Sequence, residues 1–450
     1  MQFTKVLKIL YISGVIAALS IPVGFMKYYK PVNAENRELS ELPEKISESF
    51  GKELDSYLED NFAFRDRLVT ADSIIKAKVF KMSGSEKVVS GKDGWLFFAE
   101  DIDDLTSKNT MSKREIGCIK RELELINEYA AKHNSRFLFI IAPNKASLYD
   151  RFLPYYYVKS GIPNNKSLLE NSILSSVEYM DLSALFESGN EVLYHRLDSH
   201  WNNKGALFVI KALTDKFGLP SKDYETPTIT SDWNGDLYKM LYPLGEEKDE
   251  QYNYSGFEYS YTKRFKSVDD MVISTKNEHT NNGSLLMFRD SFGRSILPFA
   301  ADNFSEAELR RAVPYDLDRL TQKHFDYTVL EIVERNLDEL LAQAPHLTAE
   351  ETSIPNSNAQ LDKEDYDFTV EYSENECHIY GVINKTLSEN TRIYVKVNGK
   401  AYEAFPCYEK EKKKYDYSDG NGFSLYISTT ASINETEIYI YIGGGLTNET

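Results

Sequence analysis

Cysteine is scarce. The three in this chain, Cys118, Cys377 and Cys407, include no C-x-x-C pair, which excludes a zinc ribbon and a thiol redox motif. A disulfide between Cys377 and Cys407 is left open. Positive charge is also short, with 52 Lys and Arg against 70 Asp and Glu and a formal net charge of −18. Such a surface repels phosphate backbones and anionic lipid headgroups, so nucleic acid is excluded as a partner. Neither Gly (23) nor Pro (14) reaches a collagen-like or disordered share, and 42% hydrophobic residues leave ample material for a core. No internal repeat is evident. At about 150 residues per domain, a chain of this length is expected to hold roughly three units, or two large ones plus accessories.

Long apolar runs are limited to one, Ile9 to Met26, which follows Lys5 and Lys8. At the lower edge of what crosses a bilayer, it reads as a signal or an anchor. Lys27, Tyr28, Tyr29 and Lys30 come next, where a cleavage site would need small residues, and Val32-Asn33-Ala34 is late. An uncleaved signal anchor over residues 1–34 is therefore expected, with the bulk of the chain extracytoplasmic at the cell surface. The near balance of flanking lysines orients it weakly.

Residues 35–84 read as a helical connector, because Phe50, Leu54, Leu58, Phe62 and Phe64 recur at near-helical intervals. From 85 to 348 strand-length apolar runs alternate with helical stretches, the pattern of a layered α/β domain with a largely parallel sheet. Strands are predicted at 136–143, 177–182, 283–288 and 326–334, and helices at 112–133 and 203–218. After a polar stretch with Pro345 and Pro355, residues 349–450 form short β-branched and Tyr-rich runs separated by Asn398-Gly399 and Asp419-Gly420, the pattern of an antiparallel sandwich.

Two segments carry residues suited to chemistry. In LLMFRDSFGRSILPF, 285–299, an apolar strand ends, Gly293 permits a tight turn and a helix-like stretch begins, which puts Ser291 at a strand-to-helix corner. There a hydroxyl stands at the carboxyl edge of the sheet, with amides available to a developing oxyanion. The plain alternative is that Asp290 and Ser291 only cap the helix. In HRLDSHWNNKGA, 195–206, Asp198 and His200 are two apart, so on extended backbone they project to one side. A carboxylate there fixes one imidazole nitrogen and leaves the other for a hydroxyl, as a Ser nucleophile requires. Trp201 is placed to wall the site. A capped turn with a structural His is the plain alternative, and His195, Asp198 and His200 are also admissible zinc ligands.

RDSFG at 289–293 resembles the nucleophile block of SGNH/GDSL hydrolases. DSHW at 198–201 resembles the D-x-H-W motif of the DHHW and alginate O-acetyltransferase accessory families, and the order of the two agrees with them. ENREL at 35–39, Leu42-Pro43, DNFAFRDRL at 60–68, GKDGWLFF at 91–98, APNKASLY at 142–149 and GDLYKML at 235–241 extend the resemblance over roughly residues 35–345. It implies an SGNH-like three-layer α/β/α domain with Ser291 as nucleophile, His200 as general base and acid, and Asp198 orienting it, with no cofactor and no metal. Ser199 replaces the second His of the DHHW pattern, and as the middle residue of D-x-H it is expected to point away from the triad. The Ser291 amide and the Asn144 side chain are the oxyanion donors the resemblance offers. Lys145 and Tyr149 are read as binding substrate or stabilising their loop, with a solvated lysine the commoner case.

Families of this kind are associated with O-acetylation of secreted or cell-wall polysaccharides beside a membrane-bound O-acyltransferase. The resemblance thus implies an acetyltransferase or acetylesterase on a polysaccharide. A non-catalytic glycan-binding or assembly protein and a metal-dependent hydrolase are the competing classes. The Tyr-rich C-terminal sandwich and the Tyr155-Tyr156-Tyr157 cluster offer stacking faces to a glycan, although Tyr is also an ordinary strand residue.

Overall fold

A computed structural model describes residues 2–30, 39–47, 49–80, 82–189, 191–373, 375–429 and 433–443. Val32-Asn33-Ala34 and residues 35–38 of ENREL lie outside the described residues. The apolar run forms a helix, Gln2–Phe25, of which Lys5–Phe25 has a mean hydropathy of 2.0 and is long and apolar enough to cross a membrane. Its Ile9, Leu10 and Ile16 side chains are exposed. Helices Phe50–Asn61 and Arg65–Ile75 follow, and Tyr29 reaches the second of them, its hydroxyl donating to Asp66 Oδ2 at 2.8 Å.

A small hairpin, β1 (Val88–Ser90) and β2 (Leu96–Phe98), precedes the central sheet. The sheet contains β3 (Arg136–Ala142) and β4 (Tyr179–Met180). After an antiparallel excursion of β5 (Thr228–Trp233) and β6 (Asp249–Asn253) come β7 (Ser260–Tyr261), β8 (Val272–Lys276), β9 (Ser284–Phe288), β10 (Glu306–Arg310) and β11 (Tyr327–Val333). Its order is β4-β3-β11-β9-β10-β8-β7, parallel from β4 through β10 and antiparallel across β8 and β7. The strand expected at 177–182 is only the two residues of β4; the other predicted strands and helices agree to within a residue or two.

Near-continuous apolar runs suit strands covered on both faces. Leu138, Ile140, Leu285 and Met287 pack to one side with Ala206, Val209 and Leu213 of helix Asn203–Phe217 and Ile296 of helix Gly293–Asn303. Phe137, Phe139, Leu286 and Phe288 pack to the other with Ile116, Ile119, Leu123 and Ile126 of helix Lys113–Lys132. That helix begins at a capping box, Ser112 Oγ accepting from Glu115 N while the Glu115 carboxylate accepts from Ser112 N. The result is the three-layer α/β/α arrangement.

The C-terminal part is all antiparallel: β12 (Ala359–Gln360), β13 (Tyr366–Tyr372), β14 (Glu376–Ile383), β15 (Arg392–Val397), β16 (Lys400–Ala404), β17 (Gly422–Ser428) and β18 (Tyr439–Gly443). Among the described residues they form two sheets, β12-β18-β15-β16 and β13-β14-β17, around a core that includes Ile379, Val395, Leu425 and Ile440. Asn398 and Gly399 turn β15 into β16 with φ of 49° and 84°, the two positive values a tight hairpin needs. All three cysteines are free and buried, so Cys377 and Cys407 are not bridged. Tyr366, Tyr380, Tyr394, Tyr402 and Tyr408 are buried in packing rather than offered as stacking faces; Tyr372, Tyr155 and Tyr156 are exposed.

Helix Lys113–Lys132 also seats the sandwich. Arg114 donates through Nε to Gly420 O at 3.1 Å and through Nη1 to Thr391 O at 2.8 Å. Arg121 grips Glu403 with two bonds, 2.7 and 3.0 Å, and also bonds Glu124 and Glu128, with only 9% of its side chain exposed. Removing one partner of a buried pair leaves the other charge uncompensated. Arg121→Ala is expected to cost about 3 kcal/mol, read as a lower denaturant midpoint, with Arg121→Lys recovering part of it.

Candidate active site

Residues 194–201 form a tight turn rather than a strand. It is closed by a bridge between Tyr194 and Trp201, by His195 N donating to His200 O at 3.2 Å and by Asn202 N donating to Leu193 O at 2.9 Å. Inside it His200 N donates to Asp198 Oδ1 at 3.0 Å, and His200 Nδ1 lies 2.7 Å from the same oxygen. The other ring nitrogen, Nε2, lies 2.8 Å from Ser291 Oγ. Asp198, His200 and Ser291 are thus brought into one hydrogen-bonded chain. With the proton assigned to Nδ1, Nε2 is the acceptor for the serine hydroxyl.

Ser291 follows β9 at its carboxyl end. Asp290 shapes the corner, accepting from Phe292 N at 2.7 Å and from Val333 N of β11 at 2.8 Å. Asp290 thus braces the corner without capping the helix that follows, while Ser291 Oγ turns to the imidazole. Gly293 is required by crowding, since a Cβ there would stand 2.5 Å from Arg289 Cδ. Among the described residues no acceptor pairs with the Ser291 N–H, which leaves that amide open to an oxyanion. The site is reachable from solvent, with 14% of the His200 side chain exposed against 5% for Asp198.

Burial alone would raise the Asp198 pKa; hydrogen bonds and charge from His200 more than offset it, and the carboxyl is held far below its usual range. Burial would lower His200, but hydrogen bonds to Asp198 and Asp236 dominate and raise it to about 9. Two further donors reach Asp198 Oδ2: Trp233 Nε1 at 3.0 Å and Asp236 N at 3.1 Å.

The remaining sequence candidates serve the scaffold. Lys145, read from the sequence as most commonly solvated, is fully buried. Its Nζ donates to the carbonyls of Leu96 (2.6 Å), Arg196 (2.9 Å) and Asp198 (2.9 Å), joining the β1–β2 hairpin to the 194–201 turn. Burial lowers its pKa to about 7. Tyr149 is buried, accepts from Leu193 N at 2.9 Å and stacks on Trp95 with centroids 4.8 Å apart. Trp201 is inaccessible; its Nε1 donates to Phe292 O at 3.1 Å and so clamps the serine loop from below. Asn144 is also inaccessible, and its amide is engaged, Nδ2 donating to Asp104 Oδ2 at 2.7 Å and Oδ1 accepting from Arg335 N at 3.2 Å. It supports the β3 loop, and burial pushes its neighbour Asp104 up to about 7.

Ser199 does not point away. The turn is not extended, so two-residue alternation fails, and Ser199 Oγ lies 3.2 Å from His200 Nδ1 while donating to Asp236 Oδ2 at 2.6 Å. Sequence reasoning did not single out Asp236 or Trp233, although GDLYKML contains the first. Donor atoms of Asp198, His200 and Asp236 lie close enough together to ligate an ion, but each is used in the bonds just described. His195 is not among them: it stacks on Trp233 with centroids 4.9 Å apart, and burial lowers its pKa.

Comparison with known proteins finds similarities over part of the chain. Residues 88–275 match the family model described as ALGX, SGNH hydrolase-like domain, acetyltransferase AlgX. A DHHW family protein from Eubacterium siraeum DSM 15702 is 18% identical, covering 56% of this chain and 94% of that one with a TM-score of 0.44. Bacillus cereus PatB1 is 17% identical, covering 56% and 96% with a TM-score of 0.44. Pseudomonas aeruginosa AlgX is 13% identical, covering 84% and 99% with a TM-score of 0.38. No curated protein matches the chain. Over residues 88–275 the chain is thus similar to an SGNH hydrolase-like domain.

Proposed function

We propose that the chain is an extracytoplasmic O-acetyltransferase that modifies hydroxyls of a secreted or cell-wall polysaccharide through Ser291, His200 and Asp198. The observation that carries this reading is the unbroken chain of short contacts, 2.7 Å from Asp198 Oδ1 to His200 Nδ1 and 2.8 Å from His200 Nε2 to Ser291 Oγ. The match to an acetyltransferase family model supports acetyl as the group carried. The apolar helix Lys5–Phe25 supports a membrane anchor, which would set the site beside a membrane-bound O-acyltransferase supplying acetyl groups.

In the first half-reaction, Nε2 takes the Ser291 proton as Oγ attacks the acetyl carbonyl of an ester donor. The tetrahedral oxyanion faces the free Ser291 N–H. Collapse breaks the bond to the donor oxygen, which leaves with the proton from Nε2, and acetyl-Ser291 remains. In the second, a sugar hydroxyl gives its proton to Nε2 and attacks the acetyl-serine; Oγ leaves and recovers the proton. Water in place of the sugar yields acetate, so the same residues make an acetylesterase, and what decides is the acceptor. Throughout, Asp198 keeps the imidazole oriented and compensates the imidazolium.

Ser291→Ala is expected to lower release of acetate and of the leaving group from an activated acetyl ester by at least about 1,000-fold. Acetyl mass should appear on the Ser291 peptide of the wild type alone; equal turnover by both proteins removes Ser291 as nucleophile. The base is neutral His200, and its pKa is raised to about 9, so kcat/KM should climb with pH and level off above that value. Activity flat from pH 6 to 9 would contradict that assignment.

A further inference from the structure

We propose that Asp236 is a second orienting carboxylate for His200, a positioning residue that acts on Nδ1 directly and through the Ser199 hydroxyl. This rests on the assignment of His200 as the base, but the geometry beneath it is separate. Asp236 Oδ2 lies 3.4 Å from His200 Nδ1 and accepts the Ser199 hydroxyl at 2.6 Å, while Oδ1 accepts from Ser199 N at 2.8 Å. Because Ser199 O–H is directed at Asp236, its lone pairs are left toward the Nδ1–H 3.2 Å away.

The approach is built into the chain. Gly235 packs so tightly on the turn that a Cβ would fall 2.2 Å from Leu197 O, a contact no side chain tolerates. Tyr238 N then donates to that carbonyl at 3.1 Å, and Asp236 N donates to Asp198 Oδ2 at 3.1 Å. The Gly-Asp step therefore docks onto the Asp-Ser-His turn through both residues' main chains, and the Asp236 carboxylate is delivered to the side of the imidazole already facing Asp198. The function of Ser199, where the related pattern has His, follows: a small hydroxyl links the Asp236 carboxylate to the ring nitrogen that Asp198 already holds.

Two anions at Nδ1 favour imidazolium more than one does. The other charged or titratable groups around the ring are Lys145, whose ammonium bonds the Asp198 carbonyl, His195, which burial keeps toward its neutral form, and Arg335, whose guanidinium lies over the Phe292 ring at 5.6 Å and feels the Asp236 charge. Arg335 opposes the carboxylates, Lys145 does so only below its lowered value of about 7, and all three groups remain when Asp236 is altered.

The test is a titration of the full chain in detergent micelles, labelled with 15N-histidine. Its seven histidines keep the ring spectrum simple, and His200 is assigned from the H200Q variant. Asp236→Asn should lower the His200 midpoint by about one pH unit, and Ser199→Ala by less, in the same direction. The rising limb of kcat/KM against pH should move with the midpoint. A role confined to holding the turn would lower the rate at every pH and leave the midpoint in place. An unmoved or raised midpoint in Asp236→Asn overturns the proposal; should that variant not fold, an unmoved midpoint in Ser199→Ala does so. Ring resonances report whether or not the protein turns over, so loss of the enzyme reading, seen as Ser291→Ala retaining full activity, is distinguishable from loss of this one.

Discussion

A carboxylate kept ionised in a buried place governs this site. Asp198 is nearly inaccessible, and an unpaired charge there would cost several kcal/mol. Four donors remove that penalty: His200 N, His200 Nδ1, Trp233 Nε1 and Asp236 N. Two come from the turn that holds Asp198, and two from the β5 end and the segment after it. The turn keeps its shape because the carboxylate needs those donors, and the imidazole is aimed at Ser291 because the turn keeps its shape.

Around this centre the buried polar groups do mechanical work. Lys145 ties three carbonyls from the β1–β2 hairpin and the 194–201 turn; Trp201 binds the carbonyl after the serine; Asp290 joins the serine corner to β11. Each is a long-range tie ending on main chain, and each buried group lost from such a tie leaves partners unsatisfied at about 1–3 kcal/mol apiece. Preorganisation of the serine and imidazole follows from that cost. On the far face, helix Lys113–Lys132 covers the sheet with its apolar stripe and holds the sandwich with Arg114 and Arg121, so one amphipathic element serves two bodies.

Much of the architecture was legible from local pattern. β3, β9 and β11 were marked by apolar runs, and helix Asn203–Phe217 by its periodicity and by Gly218, which takes φ of 73° as a terminating glycine should. The expected strand at 177–182 shortens to β4 because, of the Val, Tyr, Met and Leu in VEYMDL, only Tyr179 and Met180 find a partner strand. The approach of Asp198 and His200 to Ser291 was anticipated from the two motif blocks. Ser199 was misjudged because i, i+2 reasoning assumes extended backbone, and the turn is bent. Of the readings open for Lys145, the solvated one fails and the structural one agrees, because a lysine's usual preference for solvent says nothing of three carbonyls converging on it.

The sequence by itself determined which segments become strands and helices, where the apolar helix stands, and that a serine corner and an Asp-x-His turn are present, since these follow from periodicity, turn chemistry and residue type within short windows. Only the tertiary structure decided that Asp236 and Trp233 close on Asp198, that Asn144 is enclosed with its amide engaged, and that Cys377 and Cys407 stay apart. Those outcomes depend on which distant main-chain groups need a partner once the layers have packed, and local composition carries no record of that demand.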